Sequence, residues 1–164
     1  MNFNLVVLPG DGIGPEVIDQ GVKIIDAVAK QFSHRMTYFY DEVGGASIDR
    51  NGIALKQTTL NQAYGADAIL FGAVGGPKWD DPKSGTRPED AILAIRKGLG
   101  VFANIRPIKI FDALTGGGVL KPEVLDGVDI VVIRELTGGL YYGKPKSRRK
   151  TKKGWTGVDT LRYS

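Results

Sequence analysis

PEDAILAIRKGLGVFANIRP, residues 88–107, is the stretch that decides how this chain folds. Wound as a helix, it sets Glu89, Ile92, Leu93 and Arg96 at i, i+3, i+4 and i+7, on one face. Ala91, Ala94, Ile95 and Gly98 fall on the opposite side, a small apolar stripe suited to packing on a core. A face that mixes a carboxylate, two branched aliphatics and a guanidinium suits contact with something both apolar and anionic. Beyond Gly98 the pattern changes. Val101–Ile110 reads as a strand, with Arg106 towards its end.

Upstream, Phe3–Leu8 is an apolar run that stops at Pro9-Gly10 and reads as a buried strand. PGDGIGPEV follows, then a helical pattern to about Phe32, carried by Val17, Ile18, Val22, Ile25, Val28 and Ala29. Pro15 suits the first helical turn, and Glu16 suits the positive helix end. Strand, glycine loop and helix suggest a nucleotide-binding unit, but the spacing departs from the standard one. Gly10 and Gly12 fit G-x-G-x-x-G, whereas the third glycine position is Pro15, and no P-loop Lys-Ser/Thr follows. The segment is therefore read as a tight strand-to-helix turn. Met36–Val43 reads as a strand ended by Gly44-Gly45, Ser47–Asn51 as a loop, and Leu55–Tyr64 as a short polar helix. Ala68–Ala73 is strongly strand-like and leads into GAVGGPKWDDPKSGTRPED, where Gly75 and Gly76 allow backbone to approach a ligand closely.

Downstream, Val128–Ile133 is a second apolar strand, followed by Arg134, a Thr-Gly-Gly turn, and Tyr141-Tyr142. The 164 residues suffice for one domain, or a domain and part of another, with 42% hydrophobic and 24% charged residues. No apolar run approaches membrane-spanning length, and the N-terminus lacks a signal-peptide pattern. This reads as a cytoplasmic chain with no membrane partner. With no cysteine, disulfides, thiol catalysis and Cys-based zinc sites are excluded. A Ser–His triad would have to use His34, the one histidine. The net charge of +4 is local: Lys144–Lys153 holds seven basic residues, and removing them turns +4 into −3. That block contains no aromatic residue, which argues against a single-strand nucleic-acid site. A solvated loop or an oligomer-contact arm is the expectation.

Arg96, Arg106 and Arg134 lie at a helix face and at two strand ends. A guanidinium fork holds a carboxylate by two charge-assisted hydrogen bonds. Three gathered in one pocket would repel one another unless an anion with two or more charges neutralised them. With Ile92 and Leu93 as an aliphatic wall, the implied ligand is a small dicarboxylate with a branched alkyl group.

GDGIGPE, ILFGAVGGPKWD, the helix ending in Arg96, ANIRP and VIRELTGGLYYG stand in this order and spacing. Together they resemble the 3-isopropylmalate dehydrogenases of the isocitrate/isopropylmalate dehydrogenase family. The resemblance covers essentially the whole chain, which corresponds to about the first half of such an enzyme. It implies an incomplete α/β fold of the isopropylmalate-dehydrogenase type with a non-Rossmann NAD site. Residues 1–100 would belong to the cofactor-side domain. Residues 101–164 would begin the dimer-side domain, with 141–164 in a subunit-contact arm. It further implies that Arg96, Arg106 and Arg134 clamp the malate carboxylates and that Ile92 and Leu93 contact the isopropyl group. Tyr141 would act as general acid, with Tyr142 as the second candidate. Glu89 would face the nicotinamide of NAD, and the loop from Gly76 to Glu89 would line the cofactor, with Gly76, Pro77, Lys78, Trp79, Asp80 and Asp81 as cofactor residues.

The implied reaction is oxidative decarboxylation of 3-isopropylmalate with NAD reduction, in leucine biosynthesis, by a homodimer using Mg²⁺ or Mn²⁺. Metal-binding aspartates and a catalytic lysine are expected downstream of this chain, and Asp80, Asp81 and Asp90 do not match the metal motif. The 164 residues alone are therefore expected to be inactive and to fold incompletely. The apolar Ile92/Leu93 pair argues against a third carboxylate, as in isocitrate, because that charge would be left unpaired. A relative acting on tartrate, malate or homoisocitrate is the alternative. A non-enzymatic fragment using its basic arm is the alternative of another class.

Overall fold

The run Leu5–Leu8 sits at the centre of a sheet. A computed structural model of the chain describes residues 1–81, 85–111 and 118–163. They form two compact units, Met1–Leu99 and Gly100–Ser164. In the first, strands β1 (Asn2–Gly10), β2 (Arg35–Tyr40) and β3 (Ala68–Ala73) are parallel, in the order β2-β1-β3. Val6 is in register with Phe39 on one side and Ile69 on the other. Leu5, Val6, Val7 and Leu8 are all buried, which is why the strand reads as a continuous apolar run rather than an alternating one.

Helix α1 (Gly14–Gln31) begins where the sequence predicts, with Pro15 and Glu16 in its first turn. Its contact with β1 depends on glycine: a Cβ on Gly14 would lie 2.1 Å from the Pro9 carbonyl oxygen. Ser47–Asn51, expected as a loop, belongs instead to a seven-residue helix, α2 (Gly45–Asn51). The double glycine is this helix's N-terminus, and its first N–H groups are taken by Asp11, 34 and 35 residues away. No local capping residue announces it, so local propensity misses it. Helices α3 (Gln57–Tyr64) and α4 (Glu89–Leu99) complete the unit. Its core joins Val6, Leu8, Val43, Ala54, Ala91 and Ile95.

Along α4, Ala91 and Ile95 are buried, as the helical spacing predicts. Ala94, expected in the same stripe, is exposed. It sits at the stripe's edge, about 100° from Ile95, and a single methyl does not reach the core.

In the second unit, β4 (Ala103–Lys109) and β5 (Asp129–Glu135) pair antiparallel, with a short helix α5 (Pro122–Leu125) before β5. Leu136 is the one buried large hydrophobic side chain of this unit among the described residues, and its N–H donates to the Phe102 carbonyl. Ile130, Val131, Val132 and Ile133 are all exposed in this unit. The basic block is not a solvated loop. It forms β6 (Ser147–Thr151) and the turn into β7 (Gly154–Val158). Pairing also supplies the aromatic residue that the block itself lacks: Trp155 lies opposite Lys150, and the Arg148 guanidinium stands 4.4 Å from its ring centroid.

Candidate functional site

The chain passes from β1 to β2 on one side of the sheet and then to β3 on the other. The crevice beyond the carboxyl ends of β1 and β3 is therefore a topological switch point, the usual ligand position in open parallel sheets. Three loops meet there, and Asp11 fastens them. Its carboxylate accepts N–H bonds from Gly45 (2.7 Å), Ala46 (2.7 Å) and Gly75 (2.9 Å). Its own N–H donates to the Ala73 carbonyl at 2.6 Å.

The loop after β3 carries the sequence-predicted cofactor residues Gly76, Pro77, Lys78, Trp79, Asp80 and Asp81. Pro77–Trp79 forms a 3-10 turn. The Trp79 ring rests on the first turn of α2, and a Cβ on Gly45 would come within 2.4 Å of it. The Trp79 indole N–H donates to Asp49 Oδ1 (3.2 Å), and the Lys78 ammonium meets Asp49 Oδ2 at 2.5 Å. That ammonium first, with the indole N–H adding, holds the Asp49 carboxyl below the usual carboxylate range against an opposing desolvation. Nothing in the sequence around Asp49 singles it out. Of the loop from Gly76 to Glu89, residues 82–84 lie outside the described residues.

Glu89 opens α4 and is exposed, while its Oε1 lies close to Gly75. One turn on, Ile92, Leu93 and Arg96 are half-buried. Beyond the carboxyl ends of β1 and β2, a cavity of about 500 Å³ is walled by the Lys56–Asp41 and Arg50–Glu42 pairs. Burial alone would raise the Asp41 pKa. The Lys56 ammonium, the Thr59 hydroxyl and the Glu42 N–H outweigh it and hold the group below its ordinary value.

In the second unit, Arg106 opposes Val132, and Arg134 opposes Asn104. Residues two apart on a strand share a face, so Asn104, Arg106, Val132 and Arg134 lie on one side of the ribbon. Arg106 and Arg134 are diagonal neighbours on that face, about 7–8 Å apart at the backbone. Arg106 Nε donates to Asn104 Oδ1 at 3.0 Å, which aims its fork along the ribbon. The Arg134 guanidinium stands 5.3 Å from the centroid of the Tyr141 ring. The structure thus brings together Arg106, Arg134 and Tyr141. Arg96, Ile92 and Leu93 belong to the first unit.

Tyr141 is exposed and Tyr142 half-buried. The turn that carries them is packed on residues 160–163. Gly139 N–H donates to the Arg162 carbonyl at 2.7 Å, and a Cβ on Gly143 would lie 1.7 Å from the Thr160 carbonyl oxygen. Beside Arg134, the Thr137 hydroxyl and N–H both donate to Glu135. The hydroxyl is the larger cause that holds the Glu135 carboxyl low, and Arg134 adds to it.

Two features fit a nucleotide: glycine backbone at the switch point, and an exposed carboxylate, Glu89, beside it. Among the described residues, no group of three or more His, Cys, Asp or Glu could hold a metal ion.

The family described as "Isocitrate/isopropylmalate dehydrogenase" matches residues 4–164. The chain is 53% identical over 163 residues to a 3-isopropylmalate dehydrogenase of Anaeromyxobacter dehalogenans, covering 99% of this chain and 46% of that protein. Among solved structures, a β-decarboxylating dehydrogenase from Thermococcus kodakarensis superposes with a TM-score of 0.63 at 31% identity, over 98% of this chain and 41% of the other. An isocitrate dehydrogenase from Methylococcus capsulatus gives 0.72 at 24% identity, over 98% and 43%, and speaks to the fold alone. The chain spans about half the length of the curated relatives it matches.

Proposed function

Because the chain belongs to the isocitrate/isopropylmalate dehydrogenase family, we propose that it carries the substrate-recognising residues of an NAD-dependent, decarboxylating 3-isopropylmalate dehydrogenase. The observation that carries this reading is the placement of Arg106 and Arg134 on one ribbon face, with Tyr141 beside Arg134. Two forks at that spacing suit the two carboxylates of a malate. Arg96 is proposed as a further carboxylate ligand, and Ile92 and Leu93 as contacts of the isopropyl group, each as a residue of the first unit.

The arginines would bind and orient the substrate so that its C2 hydrogen faces the cofactor. When bound, NAD would supply the hydride acceptor. Residues Gly76–Asp81 and Glu89 would hold it at the switch point. As the hydride leaves C2, the hydroxyl proton passes to a base that is not assigned among these residues; the resulting β-keto acid then loses carbon dioxide, and the electron pair of the broken bond forms an enolate. Arg106 and Arg134 would stabilise that charge at short range. The Tyr141 hydroxyl would then give its proton to the enolate carbon. The ligands of a divalent metal are expected downstream of this chain, and none of these steps is assigned to it. A cytoplasmic homodimer, contacting its partner through the 141–164 arm, is the proposed setting.

The test joins residues 1–164 to the remaining part of the Anaeromyxobacter relative and measures NADH formation. Expected is turnover of 3-isopropylmalate, with isocitrate and tartrate much slower, and no NADH from the 164-residue chain by itself. Preference for isocitrate or tartrate would reject the assignment of substrate. NADH formed by the chain alone would reject the assignment of missing chemistry.

A further inference from the structure

Asp11 is the one buried charged residue among those described, 5% exposed, and the proposed chemistry does not use it. We propose that Asp11 is a positioning residue: it presents the Gly75–Trp79 loop and Glu89 to the cofactor by tying together the three loops at the carboxyl ends of β1, β2 and β3. This rests on the reading of Gly76–Asp81 and Glu89 as cofactor residues.

Valence and place set Asp11 apart. An ionised carboxylate has two oxygens and about four acceptor sites. Here Oδ2 takes the N–H groups of both Gly45 and Gly75, and Oδ1 takes that of Ala46. Capping α2 would need only Gly45 and Ala46. The bond to Gly75, 64 residues along the chain, serves no helix. It instead fixes the residue that packs on Glu89: a Cβ on Gly75 would come within 2.9 Å of Glu89 Oε1. Trp79 then rests on Gly45 and bonds to Asp49 of α2. The cofactor loop is thus attached to α2 at both ends, at Gly75 through Asp11 and at Trp79 through Asp49. Asp11 also follows directly on β1, held by its own N–H to Ala73, so the whole assembly is referred to the most buried strand. An asparagine has the same shape but only one acceptor oxygen, and its NH₂ would face an N–H group.

The test is Asp11→Asn, with Asp11→Ser as a second variant that keeps one acceptor. Amide hydrogen exchange and steady-state kinetics are both measured on the completed enzyme described above. Expected are exchange at Gly75, Gly45 and Ala46 faster by about tenfold or more, with Val6–Leu8 unchanged, and a KM for NAD raised about tenfold, with the KM for 3-isopropylmalate within about twofold. In a Trp155→Phe background, Trp79 emission should shift to the red. Three results overturn the proposal, and they differ. Unchanged exchange at Gly75 denies that Asp11 holds the loop. Exchange rising equally across β1 assigns Asp11 to general stability. Faster exchange at Gly75 with an unchanged KM for NAD removes the cofactor from the loop, and with it that part of the functional reading.

Discussion

Asp41 ties the end of β2 to the start of α3, and Asp41→Asn should loosen that tie by a predictable amount. Its carboxylate accepts from Lys56 Nζ (2.5 Å), the Thr59 hydroxyl (2.5 Å) and the Glu42 N–H (2.8 Å). In Asp41→Asn, the buried Thr59 hydroxyl can rotate and accept from the new NH₂, so it keeps a partner. The loss is the ion pair. Side-chain exposures of 31% for Lys56 and 16% for Asp41 place it between two limits. An exposed pair contributes about 0–1 kcal/mol, and breaking a fully buried one costs about 3–5 kcal/mol. Lys56 can still reach water, so about 2 kcal/mol is expected at neutral pH. The sign with pH follows from the carboxyl being held below its ordinary 3.8 in the folded chain. That stabilisation is fully present above the unfolded value and is lost as pH falls through the lower folded value. Asparagine does not titrate. Urea unfolding followed by far-UV circular dichroism should therefore show a gap of about 2 kcal/mol at neutral pH that closes in acid, as pH falls through the lowered folded value. A double-mutant cycle with Lys56→Met should return most of it as coupling. A gap of equal size at neutral pH and in acid would refute the electrostatic account, and so would a coupling near zero.

Other outcomes follow from single contacts. Tyr38 is pushed up from 10.0 to about 12, by desolvation first and then by its 2.7 Å hydrogen bond to Asp26. The folded chain holds this phenolic proton more tightly, so its stabilisation is complete below pH 10.0 and is lost as pH rises through about 12. Absorbance at the tyrosinate band should lack this late-titrating step in Tyr38→Phe. In Gly143→Ala the added methyl meets the Thr160 carbonyl. Overpacking against backbone costs about 1–3 kcal/mol, and thermal unfolding of the second unit should report it, while the β1–β3 sheet amides keep their exchange rates. In the completed enzyme, Leu93→Ser should raise the KM for 3-isopropylmalate by about 10–200-fold, the worth of a small apolar contact, with kcat little changed.

Strands are legible wherever the sequence carries a strong apolar run, as at the buried Leu5–Leu8 and at Ala68–Ala73, which is largely half-buried beside it. A central parallel strand must be apolar on both faces, and an α/β chain repeats that signal. Val128–Ile133 is legible by the same apolar signal, and Asp129–Glu135 is indeed a strand. The α4 stripe is legible through Ala91 and Ile95. It fails at Ala94, where periodicity gives an angle but not the reach of a methyl group. Helix α2 is illegible, since its N-terminus is capped by a carboxylate from another loop and begins with two glycines. The hairpin β6–β7 is illegible for a different reason. No apolar alternation marks a ribbon that buries neither face, and a run of lysines and arginines hides the pairing that sets Trp155 beside Arg148.

The same division explains the candidate site. Arg106 and Arg134 announce themselves because each interrupts or ends an apolar strand, and the antiparallel register then puts them on one face without further instruction from sequence. The residues that hold the site's loops carry no such mark. Asp11 stands in a glycine-rich turn as one carboxylate among many, and its meaning lies in Gly45, Ala46 and Gly75, which are remote in sequence and contribute only backbone. A residue that touches ligand can be read from side-chain type and spacing. A residue that positions others through their N–H groups leaves its trace in glycine placement instead: Gly44 and Gly75 both adopt positive φ, and a Cβ on Gly44 would lie 2.6 Å from Asp11 Oδ2. The paired glycines at 44–45 and 75–76 are therefore the sequence signature of the Asp11 fastening. Glycine-to-alanine changes at 44 and 75 should reproduce, in amide exchange, the loop loosening expected of Asp11→Asn, and unchanged exchange in both would detach the glycines from that role.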